Sequence, residues 1–192
     1  MHIESADQNF QRTFSRRQFV IGLTRLTTGG LILACGSSEE RTIENLALFA
    51  HDETRQIELD PYEQQLVALT NSHRIYRDIK PMLVDSSLVE VARFRCNDMA
   101  SKNYFSHQGP DGKTVVDLMH QIKYPYLIAW ENIASNNFPL EDSPRVAFDG
   151  LLKSPGHAGN MFDPKLTHFG VGDKSDREGM HYFVQIFAAR II

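Results

Sequence analysis

The chain contains little cysteine and none of the short motifs that identify the commonest catalytic sites. Only Cys35 and Cys96 occur among its 192 residues. The sequence has no HExxH, no CxxC, no Gly-x-Ser-x-Gly and no phosphate-binding glycine loop. The GxG at residues 170–172 lies in an apolar setting, where close backbone packing explains it better than a nucleotide does. Motifs alone therefore assign no enzyme class.

Concentrated positive charge is also lacking. The chain has 20 basic and 24 acidic residues, a net charge of −4, and its lysines and arginines form no cluster. Binding to nucleic acid depends on such clusters, so we expect no nucleic-acid partner.

Long apolar runs are lacking as well, although a modest apolar stretch lies near the N-terminus. Residues 14–35 read FSRRQFVIGLTRLTTGGLILAC, in which Arg16 and Arg17 precede the apolar part. Arg25 and several threonines interrupt it, so it falls short of the run of about 18 apolar residues that spans a bilayer. The pattern is typical of a twin-arginine export signal, residues 1–34, that leads into a lipoprotein cleavage site.

Cys35 follows Ile32, Leu33 and Ala34, an order similar to the bacterial lipobox. We expect Cys35 to be acylated and to attach an exported protein to the membrane at the cell envelope; a plain signal peptide with an incidental cysteine is the alternative. In a bacterium with two membranes, Gly36 in place of aspartate favours the periplasmic side or the outer membrane. A secreted protein is the alternative. The signal holds four arginines and two acidic residues, so its removal leaves 16 basic and 22 acidic residues, a net charge of −6.

Residues 35–60, polar and acidic at the start, are predicted to form the acylated cysteine and a tether before a single domain over residues 61–192. With Cys35 acylated, Cys96 has no partner for an intrachain disulfide. Asp60 and Pro61 are typical of the start of a helix. One buried face of that helix is predicted from apolar residues and a histidine at helical spacing: Tyr62, Leu66, Leu69, His73 and Tyr76.

A second helix is predicted from Ser87 and Glu90, which have the spacing of a capping box. Its apolar stripe places Cys96 in the core as a small filler. Further helices are predicted over residues 114–122 and from Ser143 to Lys153, and strands over residues 168–173 and 181–188. Helices followed by strands predict an α+β fold.

Three separated stretches hold the candidate chemistry: NYFSHQGPDG with His107, AWENIAS with Glu131, and KSPGHAGNMF with His157. Ser154 and Pro155 fit the N-cap and first position of a short helix, so His157 falls in its first turn. A helix N-terminus disfavours the protonated imidazole and keeps it neutral, the form that binds metal or accepts a proton.

Seven motifs in order resemble the CAP domain superfamily, which unites cysteine-rich secretory proteins, insect venom antigens, plant pathogenesis-related proteins and bacterial envelope proteins. They cover residues 61–192 and read LTNSHR, PMLVDSSLxxxA, DMAxxxYFSH, WENIA, SPGHxxNM, FGVG and YFVQIF. The resemblance implies an α-β-α sandwich with a cleft in which two histidines and acidic residues meet, and which binds a divalent metal in some members.

Residue by residue, the resemblance carries over to His107, Glu131 and His157 as the cleft or metal-binding residues. Three positions depart from the pattern: Leu151 replaces a tryptophan, Ser154 stands about where many eukaryotic members have a second glutamate, and Ala158 replaces an arginine. The cleft would therefore hold a His-Glu-His triad, with Ser106, Asn132 and Ser154 as supporting residues.

Two neutral imidazoles and a carboxylate could bind a divalent metal such as Zn²⁺ with one coordination position open. A satisfied polar network that only braces the cleft is the alternative. The function that we expect is a binding module for a lipid, cell-wall (peptidoglycan) or protein ligand. A metal-assisted, peptidase-like hydrolase with Glu131 as ligand or general base, and a structural envelope protein with a vestigial cleft, remain alternatives.

Overall fold

The computed structural model describes residues 57–191. The export signal, Cys35 and most of the tether predicted above lie outside the described residues. Nine helices and strands follow one another within them: α1 (Pro61–Ile75), β1 (Leu83–Val84), α2 (Ser86–Lys102), α3 (Val115–Gln121), β2 (Tyr126–Asn136), α4 (Ser143–Lys153), α5 (Pro155–Phe162), β3 (His168–Ser175) and β4 (His181–Arg190).

The four strands form one mixed sheet in the order β1-β3-β4-β2. Strand β1 pairs with β3 in parallel, whereas β3 and β2 each pair with β4 in the antiparallel direction. Strand β4 lies at the centre, and residues 181–189 of it are all buried. Side chains of a strand alternate between the two faces of a sheet, so alternate residues of β4 pack into a core on each face.

Two apolar cores lie on opposite faces of the sheet, which confirms the predicted α+β, α-β-α architecture. Helices α2 and α3 pack on one face, against alternate residues of β4 such as Val184 and Ile186. Helices α1, α4 and α5 pack on the other face, against Phe183 and Phe187. The sheet therefore separates the predicted site residues into two layers.

Two glycines of β3 allow helix α2 to lie directly on the sheet. A Cβ atom at Gly170 would overlap the backbone of Leu88, and one at Gly172 would lie 2.6 Å from the carbonyl carbon of Ala92. No side chain larger than hydrogen fits in that space without moving the helix. The close backbone packing predicted for residues 170–172 is therefore confirmed.

The starts of the first two helices follow the predicted chemistry only in part. Asp60 caps α1 and forms a capping box with Glu63. Helix α2 is capped by Asp85, whose side chain accepts from the backbone N–H groups of Ser87 and Leu88. The predicted capping box that starts at Ser87 is therefore wrong, because an aspartate two residues earlier caps the helix instead.

The buried face of α1 is rotated relative to the prediction. Its buried residues are Glu63, Leu66, Thr70 and Arg74, two of them charged. Tyr76 is the C-cap and is 86% exposed. Charged side chains occupy half of this face, which a count of apolar residues does not detect.

Strand β2 is the largest element missing from the sequence prediction. It includes Glu131 and Asn132, and polar residues at these positions hide the alternation that identifies a strand. Cys96 is fully buried, as predicted. Within residues 57–191, no helix combines the length and the apolar character needed to cross a membrane.

Candidate functional site

His107 and Glu131, 24 residues apart in sequence, are in direct contact. Nδ1 of His107 lies 2.7 Å from Oε2 of Glu131. The Glu131 side chain is 3% exposed and the His107 side chain 34% exposed. A buried carboxylate thus holds one ring nitrogen of a half-buried imidazole, and the other nitrogen, Nε2, makes no hydrogen bond within the described residues.

The second oxygen of Glu131 is held by Arg95 of α2. Arg95 donates from Nε to Oε1 of Glu131 over 2.9 Å, and both side chains are nearly inaccessible. The same guanidinium donates to the hydroxyl of Tyr104 and to the carbonyl oxygen of Ser106, which immediately precedes His107. Arg95 therefore fixes both the carboxylate and the backbone that carries the histidine.

His157 is the third residue of α5, in the first turn as predicted. Ser154 is the N-cap and Pro155 the first helical residue, although the Ser154 side chain makes no capping hydrogen bond. The carbonyl oxygen of His157 accepts from Nδ2 of Asn132 over 3.1 Å. Asn132 thus attaches the histidine-bearing turn of α5 to β2.

Asn132 belongs to a chain of hydrogen-bonded polar side chains that extends into the core, in which Asn132, Gln185 and Thr70 are fully buried. Its Nδ2 also donates to Oε1 of Gln185 on β4, and Nε2 of Gln185 donates to the hydroxyl of Thr70 on α1. Its Oδ1 accepts from Nδ2 of Asn160, one turn beyond His157. Both ends of the Asn132 amide group are therefore used to hold α5 against the sheet.

Burial lowers the pKa of His157, and the nearby His107 lowers it further. The predicted direction, towards a neutral imidazole, agrees with the structure. The physical cause differs, since desolvation and a second imidazole contribute rather than the helix N-terminus alone. Neutral imidazole is the form that binds a metal ion.

The histidine cluster, defined as His107, Glu131 and His157, is not a preformed three-ligand metal site. Within residues 57–191, one group of three ligand atoms lies within 4.8 Å of one another, and it consists of Asp60, Glu63 and Asp173. One oxygen of Glu131 accepts from Arg95, and the other contacts Nδ1 of His107. The cluster therefore has two imidazoles that could ligate a metal ion, and the Glu131 carboxylate contacts one of them, that of His107.

The acidic group lies in a separate polar cavity of about 320 Å³, which Arg93, Asn97 and Lys174 also line. Arg93 donates to both carboxylate oxygens of the buried Glu63. Burial and the adjacent Asp60 raise the pKa of Asp173 to about 8. A carboxyl group that stays protonated at neutral pH explains how two aspartates can lie side by side.

The supporting residues act on the backbone rather than on the imidazoles. Ser106 Oγ accepts from the N–H of Gln108, and its carbonyl oxygen accepts from Arg95. Sequence reasoning missed Arg95, Gln185 and Thr70. Arg95 lies three residues after Ala92 in the predicted apolar stripe, and its position on the buried face was the available signal.

The same residues lie within a stretch that matches a known protein family. The profile of the cysteine-rich secretory protein family, CAP, matches residues 67–187. The chain belongs to this family. The CAP match includes β2 and both histidines, so the resemblance seen in the seven sequence motifs is confirmed.

Three similar proteins illustrate the range of similarity. Protein YkwD of Bacillus subtilis is 37% identical over 111 residues, which are 58% of this chain and 42% of YkwD. An extracellular protein with an SCP domain from Bacillus anthracis is 28% identical, with a TM-score of 0.59 over 70% of this chain and 45% of that one. An outer surface protein of Borrelia burgdorferi shares the fold at 18% identity, with a TM-score of 0.62 over 71% of this chain and 98% of that one. The chain thus spans less than half the length of both Bacillus proteins.

Proposed function

We propose that this CAP protein is exported, anchored in the bacterial envelope by a lipid on Cys35, and binds a lipid, cell-wall or protein ligand in the cleft beside its histidine cluster. The Bacillus anthracis relative is described as extracellular and the Borrelia relative as an outer surface protein, which supports export. The signal pattern and Cys35 support the anchor.

One observation carries the proposal for the site: Glu131 uses one oxygen for Arg95 and the other for His107. A buried carboxylate that accepts from Nδ1 keeps the proton on that nitrogen and leaves the lone pair of Nε2 for a ligand. His157 is kept neutral beside it. The two imidazoles are thus the groups that we propose to contact the ligand.

The donor types of His107 and His157, two imidazoles, suit a divalent ion such as Zn²⁺. Imidazole is a preferred zinc ligand, and a histidine backed by a carboxylate is the usual arrangement around such an ion. With Glu131 engaged by Arg95, the protein supplies two ligands. When bound, the ion would act as a Lewis acid whose remaining positions accept oxygen atoms of the ligand.

The same contacts favour binding over hydrolysis. A general base must reach a water molecule, whereas both oxygens of Glu131 already accept hydrogen bonds and its side chain is 3% exposed. A hydrolase built on this cluster would need His107 as the base, with Glu131 orienting it.

Zinc titration calorimetry tests the metal part of the proposal. The parent protein is expected to bind one Zn²⁺, and His107→Ala and His157→Ala are both expected to abolish binding. His120→Ala serves as the matched control, because His120 is exposed and contacts Tyr126 rather than the cluster. Binding that survives either cluster substitution would place the ion elsewhere, with the acidic group around Asp173 as the next candidate.

Two further measurements test the ligand and the anchor. The purified protein is incubated with extracted envelope lipids and with peptidoglycan fragments. Mass spectrometry is expected to detect one of these two classes bound to the protein. If no lipid or peptidoglycan fragment co-purifies with the protein and none binds when added, the binding function is contradicted. Cys35→Ala is expected to move the protein from the membrane fraction to the soluble fraction, and an unchanged distribution would contradict the anchor.

A further inference from the structure

We infer that Arg95 is a positioning residue that fixes the orientation of the Glu131 side chain, which in turn holds His107 in the tautomer with the proton on Nδ1 and a free lone pair on Nε2. The binding of a ligand or metal ion by that lone pair rests on the proposed function, whereas the positioning of Glu131 and His107 by Arg95 does not. The hydrogen bonds that carry it are independent of any bound ligand.

The directions of these hydrogen bonds are set by the chemistry of arginine. A guanidinium has donors only, so each of its three partners here must accept. Arg95 donates to Oε1 of Glu131, to the Tyr104 hydroxyl and to the Ser106 carbonyl at 2.9, 2.9 and 2.7 Å. The Tyr104 hydroxyl, once it accepts from Arg95, donates its own hydrogen to Asp98 over 2.6 Å.

The carboxylate of Glu131 sets the direction of the hydrogen bond to His107. Oε2 of Glu131 is an acceptor with one partner among the described residues, Nδ1 of His107 at 2.7 Å. Nδ1 must therefore carry the hydrogen of that bond. Because Arg95 also holds the carbonyl oxygen of Ser106, the histidine and its carboxylate are fixed to one rigid group.

Replacing the carboxylate by an amide reveals whether Arg95 sets this direction. In Glu131→Gln, the donors of Arg95 require the amide oxygen to take the place of Oε1. The NH₂ group then faces Nδ1 of His107, which must become the acceptor, so the proton moves to Nε2. Without Arg95 the amide can turn over, and the proton can return to Nδ1.

The experiment measures the ring nitrogens of His107 by long-range ¹H–¹⁵N NMR of the metal-free full chain. A pH of about 9 keeps an ordinary imidazole neutral, and His107→Gln identifies the signals to be followed. The parent is expected to show the Nδ1–H tautomer, Glu131→Gln the Nε2–H tautomer, and Arg95→Met/Glu131→Gln a return of the Nδ1–H form. The double variant removes both charges of the buried pair together, which is better tolerated than removing one.

Two controls separate positioning from general stability. Glu63→Gln and Arg93→Met/Glu63→Gln alter another arginine–glutamate pair, formed by a buried glutamate and a partly buried arginine, that contacts no histidine, and are expected to leave the His107 signals unchanged. The Glu131→Gln protein is also expected to bind Zn²⁺ at least about tenfold more weakly, because its Nε2 carries a proton.

The positioning role is overturned if Glu131→Gln retains the Nδ1–H tautomer, or if Glu131→Gln has the same tautomer with and without Arg95. Should the double variant fail to fold, the Glu131→Gln spectrum still tests whether the amide is held in one orientation: the Nε2–H tautomer supports this, and a retained Nδ1–H tautomer overturns the role. A parent protein that binds no zinc but shows the switch would contradict the metal proposal and leave the role of Arg95 intact.

Discussion

Glu131 and Asn132 are consecutive residues of β2, and their side chains hold the two histidines from opposite faces of the sheet. Glu131 points into the layer of α2 and binds the ring of His107. Asn132 points into the layer of α5 and binds the backbone of His157. One peptide unit of an edge strand therefore links the two layers at the place where the histidines approach each other.

This relationship makes the relative position of the histidines depend on the register of β2. Glu131 lies opposite Ile186 and Asn132 opposite Gln185 in the ladder with β4. A slip by one residue would exchange the faces of the two side chains. The continuous pairing from Ile128 to Asn136 is thus part of the site.

Loss of the Asn132 amide is expected to destabilise the domain. Asn132→Ala leaves Gln185, Asn160 and the His157 carbonyl each short of a partner, and Gln185 is fully buried. Unsatisfied buried groups cost about 1–3 kcal/mol each, so we expect a loss of about 2–4 kcal/mol in the free energy of unfolding, measured by urea denaturation. Asn160→Ala removes only the half-buried end of this hydrogen-bonded series, so its loss in the free energy of unfolding is expected to be less than half as large. Equal losses for the two variants would contradict the central role of Asn132.

A methyl group at Gly170 is expected to separate α2 from the sheet. Gly170→Ala places its Cβ against the backbone of Leu88 and Val89, which cannot rotate away. Overpacking costs about 1–3 kcal/mol, and we expect the upper end of that range or above in urea denaturation. Gly159→Ala is the matched control: nothing lies within 4 Å of its new Cβ in helix α5, and alanine there is expected to stabilise by about 0.5–1 kcal/mol. A neutral Gly170→Ala variant would show that α2 does not rest on β3.

The lowered pKa of His157 predicts acid sensitivity. The unfolded chain takes up a proton near the ordinary imidazole value of about 6.5, whereas the folded protein does so only at lower pH. The free energy of unfolding is therefore expected to fall as the pH decreases below about 6.5, until the folded-state pKa is passed. His157→Gln should flatten this part of the profile in urea denaturation from about pH 7.5 to about pH 5, and an unchanged slope would contradict the prediction.

The raised pKa of Asp173 predicts the opposite behaviour at higher pH. The folded protein keeps this proton up to a pKa of about 8, while the unfolded chain loses it near pH ~4. The folded state binds more protons across that window, so the contribution of Asp173 to stability is expected to decline as the pH rises from about 4 to about 8. Asp173→Asn, which can still donate to Asp60, should remove this slope and be more stable than the parent at the upper end of the window. A parent and variant with parallel pH profiles would show that the carboxyl group is already ionised.

Several parts of the fold could be predicted because their signals are local. Asp60 with Pro61, and Ser154 with Pro155, start helices at the predicted residues because caps and fixed dihedral angles act within one turn. The last strand, β4, is rich in β-branched and aromatic residues, and both final strands begin at the predicted residues and extend two residues beyond the predicted ends. Strand β2 was missed because its polar residues serve a site formed by distant elements.

The sequence by itself determined the local features of this protein: the starts of α1 and α5, the burial of Cys96 in the core, and the glycines at 170 and 172 that permit a helix to lie on a strand. It also supplied the motifs that place the chain among CAP proteins and, in them, His107, Glu131 and His157. Only the tertiary structure decided what these residues do to one another. Arg95 and Gln185 reach the site from α2 and β4, and no spacing along the chain encodes a hydrogen bond between such elements, because its direction depends on how both pack against the sheet.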